Sequence, residues 1–159
     1  MKPQLLFTIV IVTFISCSNE NTIFNEYVDI PNSKFSFLDT VNFKVQINDT
    51  VNNHDVFIQL RTSTDYKWSN MFIFSDIVFP NGKIRSDTFQ ISITDKKGHW
   101  KGNKSGAVVN FNHYLYKNII FPIKGQYRFK FNQAMRDTIL NEVISLGLKI
   151  NKSNKNHKD

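Results

Sequence analysis

Hydrophobic and polar residues alternate along much of this chain with a period of two. Val41, Phe43, Val45 and Ile47 are separated by Asn42, Lys44, Gln46 and Asn48, so an extended segment here carries its apolar side chains on one face and its polar ones on the other. The pattern returns in Phe89, Ile91 and Ile93 against Gln90, Ser92 and Thr94, and in Tyr127, Phe129 and Phe131 against Gln126, Arg128 and Lys130. It returns again in Leu146, Leu148 and Ile150 against Ser145, Gly147 and Lys149. Each predicts a strand with one buried and one wet face. Residues 56–60 and 71–79 are apolar at both parities and predict interior strands. Residues 114–121 predict a further strand, and residues 24–30 an opening strand that Pro31-Asn32 ends.

Turn chemistry joins these segments. Pro80-Asn81-Gly82-Lys83 has a proline to preset φ and a glycine to accept a positive one, and Pro122-Ile123-Lys124-Gly125 repeats the device. Seven or eight short strands with turns at this spacing, and no sustained helical period, predict an all-β domain. The expected architecture is an antiparallel β-sandwich, immunoglobulin-like or jelly-roll-like, over residues 23–150. Residues 133–142 are the one candidate for a helix and fit an irregular crossover equally well. No internal repeat and no second domain is visible.

The N-terminus is built differently. Lys2 precedes an apolar run over residues 5–15, which is shorter than the roughly 20 residues of a membrane span and fits a secretory leader. Ser16 then stands before the only cysteine of the chain. A small residue directly before a lone cysteine resembles the lipobox of bacterial lipoprotein signal peptides, a class in which the cysteine is lipidated and becomes the mature N-terminus. On that reading residues 1–16 are the signal peptide, Cys17 is the lipidation site and residues 17–22 form a polar tether. An ordinary secretory leader with an incidental thiol is the alternative. Acylation accounts for an unpaired cysteine in an exported chain, which would otherwise be an exposed reactive thiol. With no second cysteine there is no intramolecular disulfide, and the core alone holds the fold. The expected location is the cell envelope, lipid-anchored, in either the inner or the outer membrane. Glu20 is the tether's one acidic residue, whereas surface-exported lipoproteins of some bacteria carry an acid-rich run there. The domain is therefore expected to face the periplasm.

Composition narrows the partners. The formal net charge is +7, one unit of it from Lys2 in the leader, and the chain holds 15 Phe against 6 Gly, which suggests aromatic packing between sheets. A basic balance fits nucleic acid, anionic lipid or an acidic partner. An exported location excludes nucleic acid. Residues 151–159 contain three of the lysines and, apart from the charge, nothing to bury, so a disordered tail is expected, with anionic lipid or glycan contact as the functional alternative.

Candidate chemistry is sparse. His54, His99, His113 and His157 form no His-x-His or His-Glu-x-x-His pair, so neither a metal nor another cofactor is expected, and no catalytic residue is assigned. His54-Asp55 follows Asn52-Asn53 and reads as a surface turn. No Gly-x-Ser-x-Gly elbow and no phosphate-cradling glycine loop is present. Residues 95–113 form the most distinctive region: long for a hairpin connection, basic, with Gly98, Gly102 and Gly106 around Trp100. There Trp100, with His99 and Asn103, fits stacking on a sugar or anchoring a protein partner; folding back to cap the sandwich fits equally well. Tyr66-Lys67-Trp68 is a second aromatic cluster with the same ambiguity. The triplets Asp39-Thr40-Val41, Asp49-Thr50-Val51 and Asp137-Thr138-Ile139 resemble the O-glycosylation sequence of Bacteroidetes-type periplasmic proteins, although each also fits a turn-to-strand entry.

Several segments, taken in order, resemble the gliding-motility lipoprotein GldH family. They are Phe24-Asn25-Glu26-Tyr27, Phe57-Ile58-Gln59-Leu60-Arg61 followed by Asp65-Tyr66, and Asn70-Met71-Phe72-Ile73-Phe74. Phe79-Pro80-Asn81-Gly82-Lys83 with Asp87-Thr88, and Gly98-His99-Trp100-Lys101-Gly102, come next. Gln133-Ala134-Met135-Arg136 and Leu146-Gly147-Leu148-Lys149-Ile150 complete the series, while Lys104-Ser105 stands where the family is richer in glycine. The resemblance spans nearly the whole chain after the cysteine. It implies a lipoprotein needed for gliding over surfaces, a process tied to type IX secretion, and it implies no catalytic residues. The functional expectation is a non-enzymatic accessory lipoprotein with protein partners in the gliding and secretion apparatus, docking through edge strands or the Trp100 loop. A glycan-binding module that uses Trp68 and Trp100 is the alternative.

Overall fold

Each alternating segment becomes a strand whose apolar parity points inward. The computed structural model describes residues 21–153, so the expected signal peptide, Cys17, most of the expected tether and residues 154–159 lie outside the described residues. The long strands are β1 (Thr22–Asp29), β3 (Val41–Ile47), β4 (His54–Ser63), β5 (Asn70–Val78), β6 (Ile84–Ser92), β8 (Val108–Ile119), β9 (Gly125–Gln133) and β11 (Val143–Lys152). Three short strands intervene: β2 (Lys34–Ser36), β7 (Asn103–Ser105) and β10 (Ile139–Asn141). One sheet has the order β1-β11-β4-β8-β7 and the other β3-β9-β5-β6, with β10-β2 a separate two-stranded ribbon. The pairings are antiparallel throughout. The predicted antiparallel β-sandwich is the fold.

The core lies between the two sheets. Val41, Phe43, Val45 and Ile47 of β3, with Tyr127, Phe129 and Phe131 of β9, are buried together with Val56, Ile58 and Leu60 of β4 and Leu146, Leu148 and Ile150 of β11. Phe43 meets Phe24 edge-on at 6.2 Å between ring centres and Phe131 at 6.0 Å. Burying large apolar and aromatic side chains from both sheets is the main stabilising term, about 25 cal/mol for each Å² removed from water.

Register gives the sandwich two distinct ends. Thr22 pairs with Asn151, Lys152 with His54, and His54 with Ile119, while Ile47 pairs with Gly125 and Val78 with Ile84. One end thus gathers residue 21, residue 153 and the loops 48–53, 79–83 and 120–124; we call it the near end. The far end gathers the β1–β2 connection, the ribbon β2–β10 and residues 134–138. Gly82 has φ +81°, as the turn chemistry of Pro80-Asn81-Gly82-Lys83 requires, and its amide donates to the Phe79 carbonyl.

Four expectations change. Residues 133–142 hold no helix: Ala134 bonds back to the Phe72 carbonyl, and the chain then enters β10. The long loop at 95–113 is shorter than its sequence suggests, because Asn103–Ser105 and Val108–Ile119 pair as a hairpin. β11 runs on through Asn151 and Lys152, which pair with Asp55 and His54. Finally, His54 is not a surface turn but wholly buried, its ring 5.3 Å from that of Phe121. The polar neighbours Asn52, Asn53 and Asp55 conceal it in sequence.

Burial disfavours the His54 imidazolium and pushes its pKa below the ordinary histidine value, outweighing the opposing charge of Asp49. A base whose pKa falls on folding contributes stability that is complete above its unfolded value, near 6.5, and is lost as pH falls below it. Urea midpoints measured from pH 8 to pH 5 are therefore expected to fall on acidification. His54→Phe is expected to flatten that slope; an unchanged slope in the variant would place the proton uptake elsewhere.

Candidate functional site

An open groove of about 1050 Å³ lies at the far end, on the outer face of the four-stranded sheet. Alternation along β5 sends Met71, Ile73, Ser75 and Ile77 inward and leaves Phe74 and Asp76 on the outer face. Phe74 pairs across to Asn132 of β9 and Thr88 of β6, and these three side chains form the floor. Its wall is the crossover 134–138. Gln133 is 2% exposed and holds that wall in place: its side-chain oxygen accepts from the Met135 amide at 2.8 Å, and its Nε2 donates to the Asp137 carbonyl at 2.7 Å. Phe37 closes the opposite rim, its amide donating to the Thr138 carbonyl at 3.0 Å.

Two phenylalanines stand half in water here, Phe37 at 50% and Phe74 at 53% exposure. Charges of both signs lie nearby, Asp76, Arg136 and Asp137 in the groove and Asp87 toward the opposite sheet. Ser86 Oγ donates to Asp76 at 2.5 Å, and Lys67 Nζ lies 3.2 Å from Asp137. Asp87 accepts from the Tyr116 hydroxyl at 2.5 Å and from Arg85 Nε at 2.7 Å, and its pKa is held below the usual carboxylate range, chiefly by the tyrosine. Burial, reinforced by that same bond, pushes Tyr116 above the ordinary phenol value. Among the described residues no group of three or more His, Cys, Asp or Glu side chains gathers to hold a metal ion. The groove offers two half-exposed rings beside charges of both signs, Asp76, Arg136 and the Lys67–Asp137 pair, which is the chemistry of binding an apolar segment with a polar rim.

The residues singled out from sequence fall in different places. Tyr66 is 4% exposed and its hydroxyl donates to the Asn70 carbonyl at 3.2 Å, so its ring belongs to the core and presents no face to a partner. Trp68 is 37% exposed under Lys67, whose Nζ lies 4.7 Å from the ring centre; the Lys67–Asp137 pair brings both to the rim of the groove. Trp100 is partly buried and packs against the core, and its backbone bridges to Thr94. The loop that carries it is pinned rather than loose: a Cβ on Gly102 would come within 2.6 Å of the Asn110 carbonyl and 2.7 Å of the Phe111 ring. His99 is exposed and closes a tight turn, its Nδ1 3.0 Å from Asp95. Thus Trp68 and Trp100 do not form one exposed aromatic platform. Phe37, Phe74 and Met135 were not singled out. Only Phe74 carried a signal, sharing the parity of the polar Asp76 within a run that reads as apolar throughout.

A model of the family described as GldH lipoprotein matches residues 22–150. The chain belongs to the GldH lipoprotein family. A gliding motility lipoprotein GldH homolog of Christiangramia forsetii is 33% identical over 155 residues, covering 93% of this chain and 94% of the relative. The gliding motility lipoprotein GldH of Flavobacterium johnsoniae is 23% identical over 138 residues, covering 87% of this chain and 84% of that protein. Among solved structures, a carbohydrate-binding module specific for non-crystalline cellulose aligns with a TM-score of 0.42 at 10% identity, over 80% of this chain and 70% of that one. As a GldH-family member the chain is a gliding-motility lipoprotein of the cell envelope, anchored to membrane. Among the described residues no helix is long and apolar enough to cross a bilayer.

Proposed function

We propose that this domain is a non-catalytic docking module, tethered through acylated Cys17, that serves the gliding and type IX secretion machinery by binding a partner segment in the far-end groove. The half-exposed pair Phe37 and Phe74 carries the reading. Aromatic rings left in water beside a preformed concavity represent unspent binding energy, and a partner residue that covers them removes apolar area from water. Asp76, Arg136 and Asp137 at the rim offer charges of both signs to the polar residues that flank the partner's apolar ones.

Phe74→Glu tests this. The position is exposed, so the fold tolerates the change, while a buried negative charge against an apolar partner residue is expected to weaken binding by at least about 30-fold, the scale of a hot-spot loss. The expected result is loss of colony spreading, together with loss of photocrosslinking from position 37 to a gliding or secretion component. Normal spreading of the variant would sink the docking role.

A second reading, glycan binding, is supported by the outer face of the five-stranded sheet and not by the tryptophans. Gln59, Asn110 and Asn112 line a shallow site of about 270 Å³ beside Tyr27, and Arg61 stacks 4.0 Å from the Tyr27 ring centre. Amides beside an aromatic ring suit the hydroxyls and apolar faces of sugars. Retardation of the protein in gels cast with soluble polysaccharide, relieved by Asn112→Ala, is the result this reading requires; equal mobility with and without polysaccharide removes it.

A further inference from the structure

The near end of the sandwich exposes large apolar side chains together with lysines. Its loops are knit into one surface. Asn53 Nδ2 donates to Asn118 Oδ1 at 2.7 Å, the Asn118 amide to Asp55 at 2.8 Å, and the Ser153 amide to the Asn53 carbonyl at 2.8 Å. Pro80 lies against Gly125, leaving 2.9 Å to an added Cβ, and Phe79 and Phe121 both pack on Tyr127. Out of this rigid base project large apolar side chains: Val51 at 81% exposure, Ile84 at 63%, Ile120 at 52% and Ile23 at 40%. Lone exposed apolar residues need no explanation, but these stand on four adjoining segments at one end.

Lysines accompany them. Lys83, Lys117, Lys124 and Lys152 are all exposed at this end, and none makes a salt bridge to a described residue, Lys117 lying with its Nζ 4.4 Å from the Tyr114 ring centre. Two carboxylates at this end are engaged by hydrogen bonds at the surface. Asp49 is engaged by the amides of Val51 and Asn52 and by the Asn52 side chain, and Asp55 by the Asn118 amide. The near end therefore presents apolar tips among four lysines that outnumber the carboxylates Asp49 and Asp55 there. The chain enters here too: Thr22 opens β1 at this end, five residues beyond Cys17, and five extended residues reach at most about 18 Å.

We infer that the near end is a membrane-seating surface: Val51, Ile84 and Ile120 enter the interface of an anionic bilayer while Lys83, Lys117, Lys124 and Lys152 contact its phosphate headgroups. The inference rests on the anchored-lipoprotein reading. It goes beyond it by assigning the folded domain its own lipid contact and a fixed stance, with the groove facing away from the membrane. Shallow apolar insertion plus lysine–headgroup attraction is the physics of peripheral membrane binding, and an acyl tether this short keeps the surface within reach.

The test uses the full-length protein purified from its native envelope and reconstituted into phosphatidylethanolamine–phosphatidylglycerol vesicles carrying nitroxide-labelled lipid. Single cysteines at Val51→Cys, Ile120→Cys and, as far-end control, Leu38→Cys are labelled with an environment-sensitive fluorophore, the acylated Cys17 being unreactive. The expected result is quenching at positions 51 and 120 about fivefold stronger than at 38. A Lys83→Glu, Lys124→Glu pair or a high-salt buffer is expected to reduce that quenching, because headgroup attraction is screened within about 8–10 Å at moderate ionic strength. Flotation with the vesicles but equal, weak quenching at all three positions overturns the seating while leaving the anchor intact. Failure to float overturns the anchor and the seating together. Thermal melts of each variant equal to that of the unaltered protein confirm that the changes act at the surface.

Discussion

Replacing Phe131 by alanine is expected to remove about 3–5 kcal/mol of stability, a large part of the roughly 5–15 kcal/mol that holds a domain of this size. Phe131 is fully buried in β9, a central strand, between Val41 of β3 and Ser75 of β5, and packs against Phe43. Strands on both sides fix its backbone, so neighbours cannot collapse into the space it leaves, and the cavity term stays near its maximum. A fall in melting temperature of about 10–20 °C is the corresponding observable. A fall of only a few degrees would mean that the two sheets close the gap, and that the sandwich is more deformable than its packing indicates.

Cys17→Ser is expected to produce the largest functional effect and almost no effect on folding. An acyl chain contributes about 0.8 kcal/mol for each buried CH₂, and several chains on one cysteine hold a protein far more firmly than a single chain does. Losing all of them leaves only the near-end contact, which by itself binds reversibly. The serine variant is expected to move from the membrane pellet to the soluble fraction after a high-salt wash and to abolish spreading, with an unchanged urea midpoint. Retention in the washed pellet would show that Cys17 is not the main anchor.

Four of the eight long strands were legible because burial on one face writes itself into the sequence as alternation, which Val41–Ile47 shows without an error, and others, such as β4 and β5, as apolar runs between turns. β7 left no such mark. Asn103, Lys104 and Ser105 lie exposed on a sheet edge, where backbone pairing alone decides the structure. β2 and β10 are likewise three residues each, too short for a period to register. His54 was misread because its local neighbours are polar, while the ring that buries it, Phe121, arrives from a distant part of the chain. The groove escaped for a similar reason: Phe37, Phe74 and Met135 meet only after β2–β10 and the crossover 134–138 fold over β5, and no spacing in sequence links them. Trp100 stood out as a tryptophan among glycines. Those glycines serve different ends, Gly98 and Gly106 adopting positive φ in tight turns and Gly102 allowing close approach to β8, so a loop that reads as long in sequence is held against the sheet in space.

The pairing of β1 with β11 also decides how the protein bears load. With the proposed anchor at Cys17 and the proposed partner in the groove, the pull enters β1 at its first residue and leaves from the opposite end, so tension would run along the strand and not across it. Ladder hydrogen bonds from Phe24↔Ile150 to Asp29↔Ser145 lie perpendicular to that pull and share it. They must break together rather than one by one, as they would if the strand were peeled from its end. A lipoprotein in a moving cell envelope is thus attached through the strand geometry that resists extension best, and its mechanical lifetime is set by the rate of that single concerted rupture.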